Sequence, residues 1–142
     1  MRCGDWMSRR VEHEFSKLVR EIRKEYVGCG PQQIRTRFVG PWAITEMTGN
    51  LTDVEKWMID SEEGRRIIHE TRTKMVKDIY KHAEVVEKLE KLVHAKLVTL
   101  FADINLASDV AITVFVFDRD IQSDARWFAR SSVSRRTPVG SP

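Results

Sequence analysis

The chain has 142 residues, with 24 Lys and Arg against 21 Asp and Glu and only two cysteines. That length fits one domain, which at this size buries roughly 70% of its unfolded surface, and Cys3 and Cys29 are too few for a disulfide framework or a cysteine-rich zinc site. No stretch approaches the roughly 20 apolar residues of a membrane span or has the layout of a signal peptide, so a soluble protein of the reducing cytoplasm, without cofactor or transmembrane segment, is the expectation.

Ser8 to Tyr26 carries Val11, Phe15, Leu18, Ile22 and Tyr26 at steps of three and four with charged residues between, which predicts an amphipathic helix. Gly28, Gly30 and Pro31 stop it. Gln33 to Val39 alternates, with Ile34, Thr36 and Phe38 on one face and Arg35 and Arg37 on the other, the pattern of a half-buried strand. Gly40-Pro41 turns the chain into a second, less regular strand over 42–48.

The segment TGNLTDVEKWMIDSEEGRR, from Thr48 to Arg66, holds two glycines, five acids and three bases. A phosphate cradle would want glycines before a helix start with basic help, and here the sign is the opposite. Thr52 and Glu55 instead have the spacing of a capping box, and Ser61 followed by Glu62 and Glu63 repeats the logic, with acids at the positive end of a helix dipole. Leu51, Val54, Trp57 and Met58 give the short helix an apolar side. Gly64 inside the next helix costs up to about 1 kcal/mol relative to Ala, so a close backbone approach is expected there.

From Ser61 to Ala95 an apolar stripe runs through Ile68, Thr71, Met75, Ile79, Ala83, Val86, Leu89 and Val93. As one helix it would span about 50 Å at 1.5 Å per residue, longer than a small domain is wide. It must either break near Lys81–Glu84 or pack on a partner. Residues 96–104 and 110–118 read as strands around a turn, and the second, apolar on both faces, belongs in the centre of the sheet.

The order α-β-β-α-β-β predicts an α+β fold, a four-stranded and mainly antiparallel sheet with helices on one face. Residues 1–118 form that domain and 119–142 a basic, partly disordered tail. The body holds 19 Lys and Arg against 19 Asp and Glu, and the tail five Arg against two Asp. A neutral body disfavours a dedicated nucleic-acid surface, which needs a basic face to release counterions.

Catalytic signatures are absent: there is no glycine-rich dinucleotide loop, phosphate loop, His-Glu-x-x-His or nucleophile elbow. The histidines at 13, 69, 82 and 94 are scattered and read as solvated helix residues rather than metal ligands. Asp103 and Asp109 flank the last turn, where aspartate bonding to nearby amides is ordinary turn chemistry. Arg35, Arg37 and Arg72, with Arg65 and Arg66, form a candidate anion cluster, against the plainer reading of solvent-facing strand arginines. Trp127 and Phe128, set among Arg126 and Arg130, are either a docking element or a cover for the sheet edge.

Tyr26-Val-Gly-Cys-Gly-Pro31, Leu51-Thr-Asp-Val-Glu-Lys56, Glu63-Gly-Arg65 with Ile68 and Arg72, and the hairpin carrying Asp103-Ile104, Asp109 and Val114-Phe-Val-Phe-Asp118 occur in an order and spacing that resemble the MpsC-like family. The resemblance implies a soluble component of a sodium-translocating, membrane-potential-generating system whose membrane partners are also linked to bicarbonate uptake. It supplies no catalytic residues. The chain departs from the family in having Lys81-His-Ala where a proline is expected in the second helical region, and Val93-His-Ala where Leu-Thr-Gly is expected before the third strand.

The leading expectation is a non-enzymatic accessory or regulatory protein, a homodimer acting through protein partners, with a membrane protein among them and a place at the membrane periphery. The alternatives are a nucleic-acid-binding α+β module, testable by salt-dependent binding, and a small-anion sensor, testable by thermal shift with bicarbonate, phosphate or nucleotides.

Overall fold

The computed structural model describes residues 3–121, with side chains from Ser8 onward. The elements are α1 (Cys3–Val27), β1 (Gln33–Val39), β2 (Trp42–Thr48), α2 (Asp53–Met58), α3 (Glu62–Ile79), α4 (Ala83–Val93), β3 (Leu97–Asn105) and β4 (Val110–Phe117). The fold is α+β, with one four-stranded sheet in the order β1-β2-β4-β3 and every pairing antiparallel. The two hairpins meet through their second strands, β2 and β4. The doubled element order of the sequence is therefore matched in the topology, and β4 is central as its two apolar faces required.

Alternation decides which side of the sheet the helices cover. Thr36 and Phe38 of β1, Ala43, Thr45 and Met47 of β2, and Ala111, Thr113, Phe115 and Phe117 of β4 are buried on one face. α1 lays Val11, Phe15, Val19 and Ile22 on them. Phe15 is the hub, with ring centroids 5.8 Å from Phe38, 5.2 Å from Phe115 and 6.4 Å from Phe117, all edge-on, and Tyr80 meets Phe115 at 5.1 Å. Such edge-to-face pairs add about 1 kcal/mol each beyond the area they bury.

The long helical region is two helices. Tyr80, Lys81 and His82 interrupt it, with the amides of Lys81 and His82 turning back to the Asp78 and Ile79 carbonyls at 3.2 Å each. No proline is needed. Tyr80 is itself drawn into the core, and following it inward bends the chain so that α4 can bury Val85, Leu89 and Val93. The expected stripe holds at Ile68, Met75 and Ile79 and fails at Thr71, which faces solvent; α3 buries Gly64, Ile68, Arg72, Val76 and Ile79, with Met75 partly buried against the core. His94, with φ 56°, supplies the left-handed residue that ends α4.

One further expectation is corrected. α2 buries none of its residues; Leu51 just before it is buried, but Val54 and Trp57 are exposed. After β4 the Ile121 amide bonds the Gly40 carbonyl at 2.8 Å and its side chain is buried. Trp127 and Phe128 lie outside the described residues.

Candidate interaction surface

Glycine at 64 explains how the acid-rich segment is built. A Cβ there would overlap the backbone carbonyl of Met58, so α3 can start beside the end of α2 only without a side chain. Ser61 Oγ accepts from the Gly64 amide at 3.0 Å, and Arg65 donates to the Ile59 carbonyl at 2.9 Å. Thr52 and Glu55 form the capping box, the Thr52 amide donating to Glu55 Oε1 at 2.9 Å and the Glu55 amide to Thr52 Oγ1 at 3.3 Å. Arg72 reaches across from α3, donating from Nε to Glu55 at 2.8 Å and from Nη2 to both Glu55 and the Asn50 carbonyl. Burial works against charge on Glu55, but the bonds from Arg72 and Thr52 outweigh it and hold its pKa below the ordinary value. Thr52, Glu55, Ser61, Gly64, Arg65 and Arg72 therefore join α2 to α3.

The candidate anion cluster is not assembled. Arg35 and Arg37 alternate away from Thr36 and Phe38, on the face of the sheet opposite the helices, whereas Arg72 lies between α3 and the covered face. Arg35 pairs with Glu46 at 2.8 Å. Arg37 turns back to the Thr36 carbonyl at 3.3 Å.

The aspartates of the last hairpin also have partners. Asp109, at φ 54°, accepts from the amides of Asn50 at 2.9 Å and Leu51 at 3.2 Å, tying the β2–α2 loop to the turn. Asp103 meets His69 Nε2 at 2.7 Å, and that bond together with the Ile104 amide holds its carboxyl below the usual range. His82 stacks on Tyr26 with centroids 5.1 Å apart. Among the described residues no group of three His, Cys, Asp or Glu could hold a metal ion.

The remaining feature is the uncovered face of the sheet. Strand register sorts it into rows: Val39, Trp42, Val116 and Thr99; Arg37, Ile44, Val114 and Phe101; Arg35, Glu46, Ile112 and Asp103; Gln33, Thr48, Val110 and Asn105. Trp42 is 45% exposed, Phe101 65% and Ile112 42%, while Ile44, Val114 and Val116 between them are half-buried only by their neighbours. Four strands of about seven residues span roughly 20 by 24 Å. The apolar rows form a contiguous patch, and patches of several hundred Å² on a small domain mark interaction sites. Alternation made this legible only in part, because a period of two says which residues share a face and not which face the helices will cover.

The chain is a small α+β sandwich with one sheet face clothed in helices and the other bare and largely apolar. More particularly, the chain belongs to the MpsC family, described as "Na+-translocating membrane potential-generating system (MpsC)", which matches it over residues 8–119. Two Bacillus subtilis (strain 168) proteins, both described as uncharacterized, are similar to it. YrhF is 42% identical over 115 residues, covering 81% of this chain and 93% of YrhF. YbcI is 24% identical over 114 residues, covering 80% of this chain and 90% of YbcI. No solved structure matches the chain. Membership links it to a membrane-potential system, and no helix among the described residues is long and apolar enough to cross a membrane.

Proposed function

We propose that this protein is a non-enzymatic accessory or regulatory component of a membrane-potential-generating system, working in the cytoplasm or at the membrane periphery, and that the bare face of its sheet is where it joins a second copy of itself. The observation that carries the proposal is that face. The long unbroken helix that would have argued for a dimer does not exist, so the argument for a second copy rests on the sheet alone.

Two antiparallel sheets stack face to face about 10 Å apart. If the two-fold axis runs between them parallel to the strands, β1 of one copy lies over β3 of the other and each row lies over itself. The apolar rows then bury one another. The face is self-complementary, as an isologous interface requires. Its size places it at the low end of stable interfaces, near 800 Å² or less per partner, so the dimer is concentration-dependent rather than permanent.

Sedimentation velocity over a range of protein concentrations tests this. The wild-type protein is expected to pass from monomer to dimer, and Val114→Glu, which sets a carboxylate in the middle of the patch, to stay monomeric with an unchanged circular dichroism spectrum. A wild-type protein that stays monomeric throughout would remove the homodimer and leave the face to a different protein.

A further inference from the structure

Between the helix layer and the covered face of the sheet lies a cavity with about 300 Å³ of unfilled space, part of it open to solvent. Its apolar walls come from Val76 of α3, Ala102 and Ile104 of β3, and Ala111 of β4. Into these walls the chain sets Arg23 of α1, Arg72 and Thr73 of α3, and Thr113 of β4.

Arg23 is the anomaly. Only 6% of it is exposed, yet among the described residues its guanidinium has no hydrogen bond and no carboxylate within ion-pair distance. Its nitrogens keep only the water that the open side of the cavity admits, and a bound anion would put a counter-charge in that water's place. Burial lowers its pKa, Tyr80 opposes that shift, and the charge of Arg72 adds to it. Of the enclosed carboxylates, Glu55 is already taken by Arg72 and Glu12 accepts from the Phe38 amide. Asp103 at the rim is turned outward, its side chain 80% exposed and bonded to His69 and the Ile104 amide. Thr113 is also buried, and its hydroxyl has no partner among the described residues.

We infer that this cavity is a binding site for one small monovalent carboxylate, held by the Arg23 guanidinium and the Thr113 hydroxyl, with Arg72 beside them adding positive potential. A guanidinium offers two parallel donors in the spacing of a carboxylate's two oxygens. The enclosed part of the cavity has room for only a few heavy atoms, which fits formate or acetate and excludes a nucleotide. The apolar wall suits the hydrogen or methyl of such a ligand. The site differs from the surface cluster of Arg35 and Arg37, which lie on the other side of the sheet, and it does not depend on the dimer.

The Arg23 Nε–H resonance in the isotope-labelled protein reads the site directly. Titration with sodium formate or acetate is expected to shift it to saturation, with no such shift from sodium chloride at matched ionic strength and a weaker one from inorganic phosphate. The same carboxylates should raise the melting temperature of wild-type protein and of the Arg35→Ala/Arg37→Ala double variant, but not of Arg23→Met. If neither carboxylate moves the resonance more than chloride does, the cavity holds only water and the inference is overturned. It is overturned equally if Arg23→Met keeps the full thermal response. The wild-type titration decides the matter even where the variant folds poorly.

Discussion

Arg72 and Glu55 form the most enclosed ion pair among the described residues, with side-chain exposures of 8% and 19%. The Glu55 carboxyl is held below its ordinary pKa of 4.5, so it favours the folded state fully above that value. Its contribution is lost as pH falls through the lower, folded value. Glu55→Gln keeps the volume and removes the charge, leaving Arg72 buried without a counter-ion, for an expected loss of about 3 kcal/mol near neutral pH. Urea midpoints measured from neutral to acid pH should show this loss together with a flatter acid limb than the wild type has. An acid limb as steep as the wild type's would place the pH dependence elsewhere. At this scale the capping boxes were plain in the sequence, because Thr-x-x-Glu and Ser followed by acids act locally. Arg23 was not: flanked by Ile22 and Lys24 on a charged helix it reads as a solvated residue, and only the packing of α1 against α3 and the sheet buries it.

Between elements, the junction of α2 and α3 depends on one missing side chain. Gly→Ala inside a helix ordinarily stabilises by up to about 1 kcal/mol. At Gly64 the added methyl would meet the Met58 carbonyl, which is backbone and cannot swing away. The sign reverses: Gly64→Ala is expected to destabilise by about 2 kcal/mol, the range for forcing an atom into filled space, and a denaturation midpoint at or above the wild type's would contradict the packing described. The oddity of a mid-helix glycine was visible in the sequence, as was the choice between a break near Lys81–Glu84 and a long helix packed on a partner. The choice itself was not settled there, since Lys81-His-Ala carries no stop signal and it is the burial of Tyr80 that bends the chain. The apolar side expected on α2 failed for a related reason. Six residues give too little helix to set which way it rolls, and the bonds from Asp109 and Arg72 to the Asn50–Glu55 stretch set it instead.

For the molecule as a whole, the question is what lies against the bare face of the sheet. α+β architecture, antiparallel pairing and the central place of β4 followed from alternation and element order, and the family followed from motif spacing. The bare face did not follow, because two-sided apolar character in β4 is equally what a strand between two helix layers would show. If a second copy covers the face, as proposed, methyl signals in a solution holding a soluble paramagnetic agent reveal it with controls inside the same molecule. Ile22, Ile68 and Ile79 are buried, and Ile67 is exposed at the surface of α3. At protein concentrations that favour the dimer, Ile44 and Ile112 are predicted to be shielded as well as the three buried isoleucines and to lose that shielding in Val114→Glu. Broadening of Ile44 and Ile112 to the extent seen for Ile67, at every concentration, would contradict it.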